Sequence, residues 1–303
     1  MSNNARQNER LVFPGMRAML FIASGLVFIV GIQLFLFTTD TDRLFAWTIN
    51  PPLTAAFLGA SYWSSCVLEF LAAREATWAR ARIAVPAVLT FTLLTLITTL
   101  IHLDRFHLDI AQFELITVLL TWVWILVYAI VPFALAILLF FQLRVPGTDP
   151  PRRMPLPLWM RTFLVVQTVV MLTIGVLLFV MPTTLIGVWP WQLTPLTGRA
   201  IGAWFIGLGI ATAHMIWEND ASRIQPAFLS MVAFSLLQFI ALARYAGDVA
   251  WDTVAAWLYL FFLVTIAQVG SAGIWLFRSP AAESTNASPK PNHSTDTHQQ
   301  QNQ

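Results

Sequence analysis

Three ionisable side chains stand out within the long apolar stretches of the 303-residue chain: Glu69, Arg199 and His214. Each falls within about a turn of an expected helix end, so the middle of every apolar stretch is uncharged. A charge at the centre of a bilayer costs ~2.5–3.5 kcal/mol on insertion scales and usually marks an ion or proton path. Its absence argues against a proton-coupled carrier and leaves Gln33, Gln167, Gln238 and Gln268 as the polar groups a neutral or apolar solute could use. Glu69 and His214 lie at similar depth in the second and sixth apolar segments. If those two helices line a common axis, the pair meets near the inner face; solvated helix ends are the plainer reading.

A second group is expected on the outer side. Arg105 and Asp109 recur as Arg244 and Asp248, with Arg199 at a similar depth. Guanidinium groups in such a set could hold an anionic ligand or a lipid headgroup, with Trp189 and Trp191 as walls. The same residues also read as ordinary helix furniture: Asp109 and Asp248 as caps of the fourth and eighth helices, Gln112 completing a capping box, the arginines reaching the interface. His102, Asp104, His107, Asp109 and Glu114 are close enough in sequence to suggest nitrogen and oxygen metal ligands. Histidines five apart do not share a helix face, however, and the matching positions later in the chain are Ala241 and Ala246. No metal and no cofactor are therefore expected. A nucleophile with its base, a His-Glu-x-x-His run, paired aspartates and facing heme ligands are all missing from the apolar stretches, so the chain is not expected to be an enzyme.

The elements that must position these residues follow from composition. Apolar and aromatic residues make up 57% of the chain and charged residues 11%, against roughly a quarter in ordinary soluble domains. Mean hydropathy is +0.70. With a net charge of +2 and a single lysine, Lys290, nothing suggests a nucleic-acid partner. Cys66 is the one cysteine and says nothing of redox compartment. The expectation is an all-α polytopic membrane protein of eight transmembrane helices: about 18–37, 51–73, 83–103, 115–143, 162–181, 195–217, 226–243 and 254–277. Pro132 interrupts the fourth of these.

The eight helices are expected to form two four-helix repeats. Trp47, Asn50, Leu53, Thr54, Gly59 and Ala60 recur in order as Trp191, Thr194, Leu196, Thr197, Gly202 and Ala203. Arg82-Ile recurs as Arg223-Ile, and Leu103-Asp-Arg-Phe-His-Leu-Asp-Ile-Ala as Leu242-Ala-Arg-Tyr-Ala-Gly-Asp-Val-Ala. Four spans per half is an even number, so the halves should cross in the same direction, related by a two-fold axis along the membrane normal. Asn50 before Pro51 and Thr194 before Pro195 read as matched N-caps. Gly198, Gly202, Ala203 and Gly207, with Ala55 and Gly59, give the second and sixth helices small faces for close packing. The parts are then a cytoplasmic segment 1–16, repeats at 17–143 and 161–278, a Pro- and Arg-rich cytoplasmic linker 144–160, and a disordered cytoplasmic tail 279–303. Every basic residue except Arg43, Arg105, Arg199 and Arg244 falls on one side, which places both termini in the cytoplasm.

The Trp189-Pro-Trp, Leu193-Thr-Pro-Leu-Thr and Gly202-Ala-Trp sequences resemble those of a group of bacterial multi-pass integral membrane proteins, mainly over residues 180–250. The resemblance implies a bacterial inner-membrane location and no activity. The expected function is a non-catalytic accessory or lipid-associated component, with membrane lipids and a small-molecule ligand or protein as partners. The alternative is a small-molecule permease with its pathway between the two repeats.

Overall fold

The computed structural model describes residues 8–278, and the tail expected at 279–303 and the first seven residues lie outside that range. Among the described residues there are eight long helices: α1 Pro14–Leu36, α2 Pro52–Arg74, α3 Val85–Ile101, α4 Leu115–Leu143, α5 Leu158–Val180, α6 Pro195–Glu218, α7 Gln225–Arg244 and α8 Val254–Arg278. Seven are long and apolar enough to cross a membrane; α3, with 17 residues, is the short one. At 1.5 Å per residue it lies at the lower end of the spanning range. The protein is an all-α, multi-pass membrane protein.

Proline sets most of the helix starts. It occupies one of the first two positions of α1, α2, α3, α6 and α7, where its missing N–H costs no bond. That explains why α1 begins four residues earlier than the apolar run Ala18–Phe37 suggests. Pro132 lies inside α4 without ending it, since α4 continues to Leu143.

The helices form a closed ring in the order α1, α2, α7, α8, α5, α6, α3, α4, with α2 and α6 drawn inward to touch each other. Neighbours in sequence form hairpins; each chain half fills one contiguous arc of the ring, and the arcs join where α2 packs on α7 and α6 packs on α3. Exchanging α1 with α5, α2 with α6, α3 with α7 and α4 with α8 maps each ring contact onto another. The tightest crossings agree. A Cβ on Gly59 would lie 2.5 Å from the Phe35 nitrogen of α1, and one on Gly202 would lie 2.8 Å from the Phe179 nitrogen of α5. The small-residue faces thus bring α2 onto α1 and α6 onto α5, rather than α2 onto α6.

One end of the bundle carries residues 144–157, and we call it the linker end; the other is the loop end. The linker is pinned along its length. Asp149 pairs with Arg82, the Pro150 carbonyl accepts from Arg223, the Asp220 carboxylate accepts from the N–H groups of Arg153 and Met154, and Asn219 accepts from Leu156 N–H. Asn219 ends α6 in the left-handed conformation that its short polar side chain tolerates. Burial alone would raise the Asp220 carboxyl, but hydrogen bonds from Ser222 and these backbone N–H groups outweigh it and hold the group below the usual carboxylate range. Beside it, Glu218 is fully buried and bonded to both Arg82 and Arg223. Burial opposes the Arg82 charge, yet its bonds to Glu218 and Asp149 leave the guanidinium pKa raised.

Candidate functional site

The centre of the ring is filled by aromatic side chains. Tyr62 of α2 meets Trp204 of α6 edge-on at 4.9 Å, and Phe91 of α3 lies 3.9 Å from the same indole. Phe57 of α2 contacts Phe205, Phe234 and Tyr259 at 6.1–6.4 Å. Their donors are tied down in matching ways. Trp124 of α4 donates to Thr99 Oγ1 of α3 at 3.1 Å, and Tyr259 of α8 donates to Gln238 Oε1 of α7 at 3.2 Å. The two spaces bordered by α2, α3 and α6 measure about 10 and 30 Å³, room for about one water each.

Larger openings face sideways, at the two loosest seams of the ring. Between α5 and α8 lies a groove of about 700 Å³, walled by Phe163, Val166, Val170, Leu258, Phe261 and Phe262. Its polar floor is Gln167, Tyr259 and Thr265, with Trp189 near the loop end. Gln167 Nε2 donates to Thr265 Oγ1 at 3.3 Å, while Gln167 Oε1 and Trp189 Nε1 are buried without hydrogen-bond partners among the described residues. Between α1 and α4 lies a smaller groove of about 150 Å³, walled by Leu26, Ile29, Val30, Val123 and Val127. Tyr62, Glu69, Thr92 and Tyr128 form its floor. Tyr62 and Tyr128 share a hydrogen bond of 2.8 Å, Ser65 Oγ donates to Glu69 Oε1 at 2.7 Å, and Glu69 Oε2 has no partner among the described residues. Lips such as Ile29, Val123, Val166 and Phe261 are among the exposed large apolar side chains that the outer helices offer to lipid.

The outer-side residues expected to form an anionic site do not converge. Arg105 is exposed and pairs with its neighbour Asp104. Arg244 donates to the Phe35 carbonyl at the end of α1, at 2.8 Å. Arg199 donates to the Phe179 carbonyl at the end of α5 and to His102 Nε2, at 3.1 and 2.8 Å. Arg199, not Arg105, therefore does for α5 what Arg244 does for α1. Trp189 and Trp191 meet each other edge-on at 5.3 Å and pack on Tyr259, and Trp191 donates to Thr54 Oγ1.

The two aspartates cap other elements than expected. Asp109 accepts from Ala111 N–H and from Gln112 in a turn that precedes α4, whose own cap position is Glu114. Asp248 accepts from Leu53 N–H, capping α2 across the molecule. The expected Asn50 cap is displaced, because α2 starts at Pro52 and its cap position is Pro51. The Thr194 cap of α6 is present, as a box closed by Thr197. Glu69 and His214 do not meet: Glu69 faces the α1/α4 groove, whereas His214 Nε2 lies 3.5 Å from Glu218 Oε1 and its ring packs on Trp217.

The histidines near residue 105 have separate duties. His107 joins Thr48 and the Phe45 carbonyl, each at 3.0 Å, and burial pushes its imidazole below the ordinary value against that carbonyl bond. His102 is lowered by burial and by the Arg199 charge. Among the described residues no cluster of three or more histidine, cysteine or acidic side chains could hold a metal ion.

Sequence reading overlooked Glu218 and the Tyr62–Tyr128 pair. Glu218 carried a signal, since it stands four residues after His214 and so shares its helix face. With only four tyrosines in the chain, two at mid-helix in α2 and α4 were also worth pairing. No protein-family model matches the chain, and neither a curated protein nor a solved structure matches it.

Proposed function

We propose that the protein is a non-catalytic, lipid-associated component of a bacterial cell membrane, built from two matched four-helix halves with both chain ends in the cytoplasm. It takes up an apolar molecule, or an acyl chain, from the bilayer through its lateral grooves. One observation carries this reading: grooves of about 700 and 150 Å³ open sideways at the α5/α8 and α1/α4 seams, whereas aromatic rings fill the space between α2 and α6. A concave, mostly apolar space with a few polar groups on its floor is the usual form of a small-molecule site. The distribution of basic residues supports the orientation.

The test is photolabelling in liposomes with a phospholipid that carries a diazirine on its acyl chain. Adducts on groove-floor residues such as Gln167, Tyr259 and Tyr62 are expected besides those on outward ridges. Adducts confined to ridge residues such as Phe133 and Val169 would overturn the proposal. The permease alternative has its own measurement. With Cys66 replaced by serine, single cysteines along 55–69 and 198–212 should resist a membrane-impermeant thiol reagent except at the helix ends. A reactive stripe reaching mid-membrane would establish an aqueous path and favour the permease.

A further inference from the structure

We infer that the α1/α4 groove recognises an amphiphilic amine, its apolar body against the groove walls and its ammonium hydrogen-bonded to Glu69. The inference rests on the lateral-groove reading above and adds the headgroup chemistry. Glu69 is 1% exposed and stands on the face of α2 that floors the groove. One carboxyl oxygen is bonded to Ser65, and the other is buried without a partner among the described residues. A buried unpaired acceptor of this kind is costly, more so when it carries charge.

Among the polar groups that line the groove Glu69 is the one carboxyl; Gln33, whose Nε2 donates to the Leu44 carbonyl, is a neutral amide. The Tyr62 and Tyr128 hydroxyls bond each other, and Thr92 Oγ1 donates to the Val88 and Leu89 carbonyls. Among the described residues no lysine, arginine or histidine lines the groove. A ligand arriving from the bilayer must be mostly apolar, and the group that complements a lone carboxyl oxygen is a donor, best a charged one. A cavity near 150 Å³ admits a head and a portion the size of one aromatic ring. The α5/α8 groove differs: its unpartnered acceptor is the neutral Gln167 Oε1. Thr212, which corresponds to Glu69 in the alignment through Gly59 and Gly202, bonds the Gly209 carbonyl and Thr168. The amine should therefore favour the first groove.

The experiment uses the full chain in liposomes and dicyclohexylcarbodiimide, a lipid-soluble carboxyl reagent. The carboxyl oxygen adds to the carbodiimide carbon, its proton passes to nitrogen, and acyl transfer to nitrogen leaves a stable acylurea mapped by mass spectrometry. Labelling at Glu69, absent in Glu69→Gln, is expected. N,N-dimethyldodecylamine, at ten times its half-saturating concentration, should slow it roughly tenfold by mass action, while dodecane leaves it unchanged. Equal protection by amine and alkane would overturn headgroup recognition and leave the lipid-associated reading standing. No labelling at Glu69, with diazirine adducts confined to the ridges, would overturn both.

Discussion

The starts of α2 and α6 have matching sequences and different bonds. Thr194 caps α6 from within, in a box with Thr197, whereas α2 has Asp248 brought to Leu53 from the other half of the chain. Trp191 donates to Thr54, but the matching Trp47 Nε1 is buried without a partner among the described residues, and Thr197, the counterpart of Thr54, is occupied in the box. Matched residues thus keep the crossing geometry and exchange the polar duties. Helix crossings are set by shape, which both copies must preserve. A cap needs only some acceptor in the right place, so any nearby side chain can supply it.

The largest effect should come from the shared geometry. Gly59→Val and Gly202→Val each drive a side chain into the backbone of a neighbouring helix, and overpacking of that kind costs about 1–3 kcal/mol and sometimes more. Both should lower the unfolding temperature in nanodiscs by a similar amount, while Gly25→Val, which meets nothing within 4 Å, should not. Unequal losses would break the correspondence between the crossings.

The linker end should divide the halves next. Glu218→Ala leaves Arg82 and Arg223 without their buried partner, a change that costs about 3–5 kcal/mol. Glu75, the residue that corresponds to Glu218, pairs with the partly exposed Arg80, and Glu75→Ala should cost at most about 1 kcal/mol. Denaturant titration of the two variants tests the contrast, and equal losses would remove it.

Removing caps gives smaller changes. Asp248→Ala and Thr194→Ala should each cost ~1 kcal/mol, because one acts across the molecule and the other locally on the same kind of helix start. Asp109→Ala, confined to an exposed turn, should cost less than either.

The smallest effect is a pH dependence on one side of the comparison. His107 binds its proton less readily folded than unfolded, so the unfolded chain takes up more protons and stability falls as pH decreases below the ordinary imidazole range. The second half has Ala246 there. His107→Gln should flatten the thermal-stability profile between about pH 7 and 5, near the unperturbed imidazole value. Asp220 has the same sign lower down, with its contribution present above the ordinary aspartate value and lost in acid. An unchanged profile in His107→Gln would show that the histidine does not set it.

The membrane class and helix order were legible because they rest on composition, run length and proline position, each of which acts locally. The correspondence of Gly59 with Gly202 was legible for a similar reason, since close packing excludes larger side chains. Convergence was not legible. Nothing in the spacing of Arg105, Arg199 and Arg244 tells which carbonyl each will meet, and the depth of Glu69 and His214 does not say which way they face. The grooves were hidden as well, because a seam between α1 and α4 depends on how the whole ring closes. In the sequence Gln167 stands with Gln33, Gln238 and Gln268 as a group a neutral solute could use, and only its position between α5 and α8 sets it apart from the others.

The packing of α2 on α7 has a consequence for biosynthesis. Ser230 bonds the Ser64 carbonyl, Gln238 bonds the Phe57 carbonyl, and Asp248 holds Leu53, across separations of 166, 181 and 195 residues. When α2 leaves the ribosome, the surface it will rest on has not been made. The α1–α2 hairpin must wait in the bilayer, with its polar groups provisionally satisfied, until α7 arrives. Contacts this distant in sequence are slow to form, so assembly should finish in one late step, and a chain cut after α6 should leave α2 open to any helix that reaches it first.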